Sequence, residues 1–131
     1  MRRVKLLREK GIEHAVRDIL KSKSKSRIYT FLLKKNGAKT EEIIKGTKLH
    51  PSTVRETLSK MHTQKLIIRK KIKNESIGKN PYKYYAISPI ELLKRYSDEI
   101  EDRLNKLVRF ASSKKKNKNH VKIKIYEGAG L

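Results

Sequence analysis

Between Ala38 and Leu66 the chain reads AKTEEIIKGTKLHPSTVRETLSKMHTQKL, a stretch that admits few folds. Thr40 can cap a short helix from Glu41 to Lys45, in which Glu41 and Glu42 suit the positive end of the helix dipole and Gly46 supplies the stop. A second helix then begins with His50 at the cap position and Pro51 at the first helical position, where a missing N–H costs nothing. Val54, Leu58 and Met61 recur at spacings of four and three, which makes one buried stripe, continued by Leu66 after the helix. Ser52, Thr53, Arg55, Glu56, Ser59 and Lys60 are left pointing outward. Two helices joined by a short turn form a helix-turn-helix unit.

The flanking segments complete a small domain. KSKSKS at 21–26 reads as a solvated linker, with Ser24 or Ser26 capping the helix RIYTFLLKK. Ile28, Phe31, Leu32 and Leu33 give that helix its buried side, and Asn36-Gly37 stops it, Gly supplying the left-handed turn. Beyond the helix-turn-helix, Lys65 to Ile72 has the β-branched density of a strand, KNESIGKN has turn composition, and PYKYYAIS returns as a second strand. Lys71, Lys73, Asn74, Lys79, Asn80 and Lys83 would then line an exposed hairpin. A basic hairpin directly behind a helix-turn-helix is a wing.

Ser88-Pro89-Ile90-Glu91 is a capping box with Pro at the first helical position. The helix it starts places Leu93, Tyr96, Ile100, Leu104, Leu107 and Ala111 on one stripe. Roughly 25 residues at a rise of about 1.5 Å give about 37 Å of helix, more than a small winged domain needs for its own core. A partner helix is the simplest cover. The segment 112–120 is a charged linker, and VKIKIYEGAGL alternates as a terminal strand. The expected organisation is an accessory helix over 1–20, a winged helix-turn-helix over 24–88, a dimerisation helix over 89–113, and a basic linker with a strand over 114–131. The fold class is mainly α with a small β-hairpin wing.

The charge agrees with that division. Lys and Arg number 35 against 13 Asp and Glu, a net charge of +22 that attracts polyanions. Residues 88–113 nevertheless carry five basic and five acidic side chains, whereas residues 1–35 carry a net +9 and residues 65–87 a net +6. The balanced block is the one expected to face protein. Cysteine is absent, so no disulfide or thiolate metal site is available, and the apolar runs are too short to span a bilayer. The first 20 residues are basic and roughly amphipathic, but Glu9, Glu13 and Asp18 argue for a structural helix over a transit peptide. His14, His50, His62 and His120 are scattered, and neither a P-loop nor a nucleophile motif is present. The reading is therefore non-enzymatic, without cofactor, metal or membrane partner, with the cytoplasm as the default compartment.

The segments KTEEIIKGTKLHPSTVRETLSKMHTQKLI and NPYKYYAISPIELLKRY resemble winged helix-turn-helix transcriptional regulators, in particular archaeal regulators of the TrmB-like kind. The likeness runs from about Lys25 to Val108. It implies that the helix from Pro51 to about Met61 enters the major groove of double-stranded DNA, with its six outward residues nearest bases or flanking phosphates. Arg55 would be the reader of guanine, and Glu56 would accept from cytosine N4, unless both are ordinary solvated residues with Glu56 paired to Lys60. The wing residues would contact phosphate or the minor groove. Tyr82, Tyr84 and Tyr85 are expected to pack in or beside the core rather than stack bases. The resemblance also implies a homodimer paired through the long helix. IKIYEGAGL looks like the opening strand of an effector domain that does not follow here, so a sugar or other small-molecule effector is not expected. The other readings are a sequence-tolerant DNA-coating protein and an RNA-binding winged helix. If about six to ten phosphates are contacted, duplex affinity should fall about 10³- to 10⁵-fold between roughly 50 and 200 mM salt. Fluorescence anisotropy across that range measures the slope, and a flat response would exclude a phosphate-dominated interface.

Overall fold

A computed structural model describes residues 2–72, 82–112 and 119–128. They fall into two units, Met1–Ile87 and Ser88–Leu131. In the first, α1 (Arg2–Leu20), α2 (Lys23–Lys35), α3 (Thr40–Thr47) and α4 (Pro51–Thr63) accompany a three-stranded antiparallel sheet of β1 (Ala38–Lys39), β2 (Ile67–Lys71) and β3 (Tyr82–Ala86) in the order β1-β3-β2. This is a mainly helical winged helix.

The core is where α2, α3 and α4 converge on the sheet. Ile28, Tyr29, Leu32, Ile43, Val54, Met61 and Ile67 are essentially sealed from solvent, and Leu58 and Leu66 join them. The α4 stripe is thus as the spacing predicts. The buried side of α2 is not: Tyr29 takes the central place, while Phe31 and Leu33 are only half-buried. The Tyr29 hydroxyl donates 2.8 Å to the Ile87 carbonyl, so the bulkiest core side chain keeps its polar end satisfied. Phe31 lies instead over Gly46, where any Cβ would fall on the ring.

Several boundaries shift for local reasons. The expected linker at 21–26 shrinks, because Ser22 is the α2 cap, its hydroxyl accepting from the Lys25 N–H at 3.2 Å. Ser26 is fully buried and its hydroxyl donates to the Ser22 and Lys23 carbonyls, the local bonding that lets serine sit in a first turn. At α3 the capping residue is Lys39 rather than Thr40, with the Glu42 carboxylate accepting from the Lys39 N–H at 3.0 Å. Gly46 does not stop that helix; Lys48 does, in a left-handed conformation at φ 58°. The turn glycine was misplaced because its role is to make room for Phe31. Strand β1, only two residues long, carries no pattern that sequence could show, yet it pairs Ala38 with Tyr84 and Lys39 with Lys83.

In the second unit, α5 spans Pro89–Ser112, and the Ser88 hydroxyl accepts from the Glu91 N–H at 3.2 Å. Of its expected stripe, Tyr96 and Ile100 are half-buried, Leu93, Leu104 and Ala111 are exposed, and Leu107 is 66% exposed. Residues 119–128 form no strand. Their backbone bonds to side chains of α5: Val121 exchanges two hydrogen bonds with the Asn105 amide at 2.8 and 2.9 Å, and the Ile123 N–H donates to Glu101 at 3.0 Å. Among the described residues this unit offers no sheet edge, so polar side chains one helical turn apart take the ladder's place.

Tyr29→Phe keeps the ring but orphans a buried carbonyl, and should lower unfolding free energy by about 1–3 kcal/mol. Urea denaturation should show this as a lower midpoint with unchanged slope, and an unchanged midpoint would mean that the bond does not hold α2 to the sheet.

Candidate nucleic-acid interface

The geometry of α4 follows from its two ends and its buried side. Pro51 occupies the first position, and the His50 Nδ1 accepts from the Ser52 N–H at 3.3 Å and lies 2.7 Å from the Ser52 hydroxyl. These bonds satisfy part of the helix N-terminus and fix where α4 starts. Thr57, which the periodicity left unassigned, is buried, and its hydroxyl lies 3.4 Å from that of Ser24, joining α4 to α2.

With Val54, Thr57, Leu58 and Met61 turned inward, the opposite face is determined. Ser52, Arg55, Glu56, Ser59 and Lys60 are exposed on it, and Thr53 sits half-buried at its margin. Glu56 and Lys60 form an ion pair at 3.3 Å between largely exposed side chains. Arg55 has no carboxylate partner among the described residues. On this face the guanidinium is therefore the cation left to engage an incoming anion or base edge.

The sheet sorts the wing side chains by register. Arg69 opposes Tyr84 and Lys71 opposes Tyr82, so these four share the face that carries buried Ile67 and Tyr84. Lys70 opposes Lys83 on the other face. Lys71 and Lys83 thus diverge to opposite sides of the hairpin. Lys73, Asn74, Lys79 and Asn80 lie outside the described residues.

Two like charges directly opposite one another repel. Here the Lys70 and Lys83 ammonium groups both lie over the Tyr85 ring, 5.3 and 5.6 Å from its centroid, an arrangement that offsets part of the repulsion. The Arg69 guanidinium lies 4.5 Å over Tyr82 in the same way. Tyr84 is buried, and the Tyr85 ring also closes over Gly37, where a Cβ would collide with it. Tyr82 and Tyr85 thus seat three of the sheet's cations, Arg69, Lys70 and Lys83.

Sequence reading missed Arg69 and His62, which with Arg55, Ser59, Thr63 and Thr40 line an open pocket of about 420 Å³ between α4 and the sheet. No local spacing links residues from three elements. No group of His, Asp or Glu able to hold a metal ion occurs among the described residues, and no described helix is long and apolar enough to cross a membrane.

Because the Glu56–Lys60 pair is exposed and one helical turn apart, Glu56→Gln should change stability by less than about 0.5 kcal/mol. Thermal unfolding checks this, and a larger loss would mean that the pair has a structural role in α4.

The fold has known counterparts. A possible transcriptional regulator from Methanosarcina mazei Go1 superposes with a TM-score of 0.59 at 20% identity, covering 76% of this chain and 87% of its own, which speaks to the fold alone. No curated protein matches the sequence. The family described as "Sugar-specific transcriptional regulator TrmB" matches residues 22–90, from the α2 cap through the helix-turn-helix and wing to the start of α5. That match takes in more than half of the 131 residues, and the chain belongs to the TrmB family of transcriptional regulators.

Proposed function

We propose that the protein is a sequence-specific, double-stranded DNA-binding transcriptional regulator that acts as a homodimer. The observation that carries this reading is the outward face of α4, where Arg55 stands beside hydroxyls of Ser52 and Ser59 without a carboxylate partner among the described residues. A guanidinium presents a fork of donors that matches guanine O6 and N7, and small hydroxyls beside it reach either bases or phosphates. Family membership supports regulation through DNA. The family description's sugar specificity is no part of the proposal.

In this reading α4 lies in the major groove, and Ser52, Thr53, Arg55, Glu56, Ser59 and Lys60 meet the DNA there. Breaking the Glu56–Lys60 pair frees the carboxylate to accept from cytosine N4 and the ammonium to reach phosphate. Lys71 and Lys83 contribute phosphate contacts along the hairpin, together with Lys73, Asn74, Lys79 and Asn80. Counterion release supplies most of the affinity and α4 supplies the discrimination.

Pairing of subunits is assigned to α5. Its length of 24 residues corresponds to about 36 Å, and Leu93 and Leu104 are 40% exposed and Leu107 66% exposed along one stripe. Residues 119–128 bond to Glu101 and Asn105, on a neighbouring face, while Tyr96 and Ile100 of the stripe are half-buried. Tyr96, Ile100 and Ala111 complete the proposed contact. Two such helices would cover each other's apolar edge, and a dimer would read half-sites about 34 Å apart.

Arg55→Ala should weaken operator binding by about 1–3 kcal/mol and relax preference at one base position, whereas Lys71→Ala should weaken all sequences alike. Parallel binding titrations on an operator and on single-base variants make the comparison, and identical behaviour of the two substitutions would refute the readout role of Arg55. Replacing Leu104 and Leu107 by Glu should convert the dimer to a folded monomer by light scattering and circular dichroism. A dimer that persists would place the interface elsewhere.

A further inference from the structure

The pocket between α4 and the sheet gathers side chains from separate elements. Arg55, Ser59, His62 and Thr63 come from α4, Arg69 from β2 and Thr40 from the first turn of α3. The lining holds two guanidiniums, an imidazole and four hydroxyl-bearing residues, Thr40, Ser59, Thr63 and Tyr84, and no carboxylate. Arg69 is held in place by its stacking on Tyr82, and neither arginine has a carboxylate partner among the described residues.

Thr40 adds an independent observation. The residue is 6% exposed, and its Oγ1, like that of Thr30 outside this pocket, is buried with no hydrogen-bond partner among the described residues. Thr40 is the first helical residue, after the Lys39 cap, and its hydroxyl caps no backbone N–H among the described residues. A buried hydroxyl without a partner is rare enough in folded proteins to need a reason. Its position in the lining of a cationic pocket supplies one, because a hydroxyl donates well to an anionic oxygen.

We propose that this pocket binds a phosphate group, with the Arg69 and Arg55 guanidiniums donating to its oxygens and the Thr40 hydroxyl, sealed from solvent in this structure, turning about its Cα–Cβ bond to donate to another. A tetrahedral oxyanion offers acceptors in several directions, which suits donors converging from α3, α4 and β2. A carboxylate is planar and has only two oxygens to share among them. The phosphate has two possible sources, a DNA backbone or a free phosphate-bearing small molecule. Only the first rests on the DNA-binding reading. Arg55 belongs both to this lining and to the outward face of α4, so an anion seated here would restrain the same guanidinium that is proposed to read a base. Thr40 and Arg69 are outside that reading face, and the test is made on them.

The test is a titration of inorganic phosphate into the full chain, followed by amide and arginine side-chain NMR and compared with chloride at equal ionic strength. Thr40→Val removes the hydroxyl while keeping the shape, and Arg69→Gln removes the charge; circular dichroism verifies that each folds. Saturable shifts centred on Thr40, Ser59 and Arg69, weakened about tenfold or more by each variant, establish a site for free phosphate even if duplex DNA does not bind at all. If free phosphate gives no saturable shift but both variants weaken every duplex sequence about equally, the occupant is a backbone phosphate. If phosphate behaves as chloride does and both variants bind duplex like the parent protein, the pocket holds solvent only and the proposal is overturned, with the DNA-binding reading intact.

Discussion

The burial of one face of α4 determines what its other face can do. Val54, Leu58 and Met61 are sealed into the core with Ile28, Tyr29 and Leu32 of α2, and close-packed interiors leave little freedom for a helix to roll about its axis. The rotation of α4 is thereby set, and with it the exposure of Ser52, Arg55, Glu56, Ser59 and Lys60. The Tyr29–Ile87 bond, spanning 58 residues of sequence, then fastens α2 to the end of the sheet. A basic helix presented in one orientation beside a basic hairpin is what a sequence-reading protein requires. The orientation comes from the apolar residues, and the recognition chemistry proposed for this face would come from the polar ones.

Features written in local spacing were legible in advance. The His50-Pro51 start, the Val54–Leu58–Met61 stripe, the Asn36-Gly37 stop and the Ser88 cap depend on neighbours within about one helical turn, and each stands where the pattern placed it, except that Asn36 rather than Gly37 takes the left-handed capping conformation, at φ 55°. Features that depend on distant partners were not. Tyr29 reads as an amphipathic residue until its hydroxyl meets Ile87; Gly46 reads as a stop until the Phe31 ring arrives above it. The terminal segment 119–128 alternates like a strand, and only the side chains of Glu101 and Asn105 show how its backbone is satisfied. The pocket of Thr40, Arg55 and Arg69 draws on three elements and left no trace in any spacing. As for the interface, the outward set on α4 was readable from helical period alone, whereas the divergence of Lys71 and Lys83 required the sheet register.

Electrostatics links these elements. A net charge of +22 makes the folded chain repel itself, and the fold accepts further local repulsion by opposing Lys70 to Lys83. Aromatic rings beneath Lys70, Lys83 and Arg69 lessen that repulsion without neutralising the charge. Carboxylate partners would have stabilised the hairpin more directly, but would have removed the charge available to a polyanion. The balanced helix α5 shows the opposite choice, with Glu91–Arg95 and Asp102–Lys106 pairs on its surface. Charge is thus retained where a polyanion is proposed to bind and compensated where a protein partner is proposed.

The central claim is that α4 discriminates among duplex sequences and does so in pairs. Selection of the purified full chain against a random duplex library at about 150 mM salt, near physiological screening, addresses it most directly. The account predicts enrichment of an inverted repeat whose half-sites lie about 10 base pairs apart. Tight binding without enrichment of any sequence would contradict it and leave a DNA-coating protein. Failure to bind duplex at all would remove DNA as the partner.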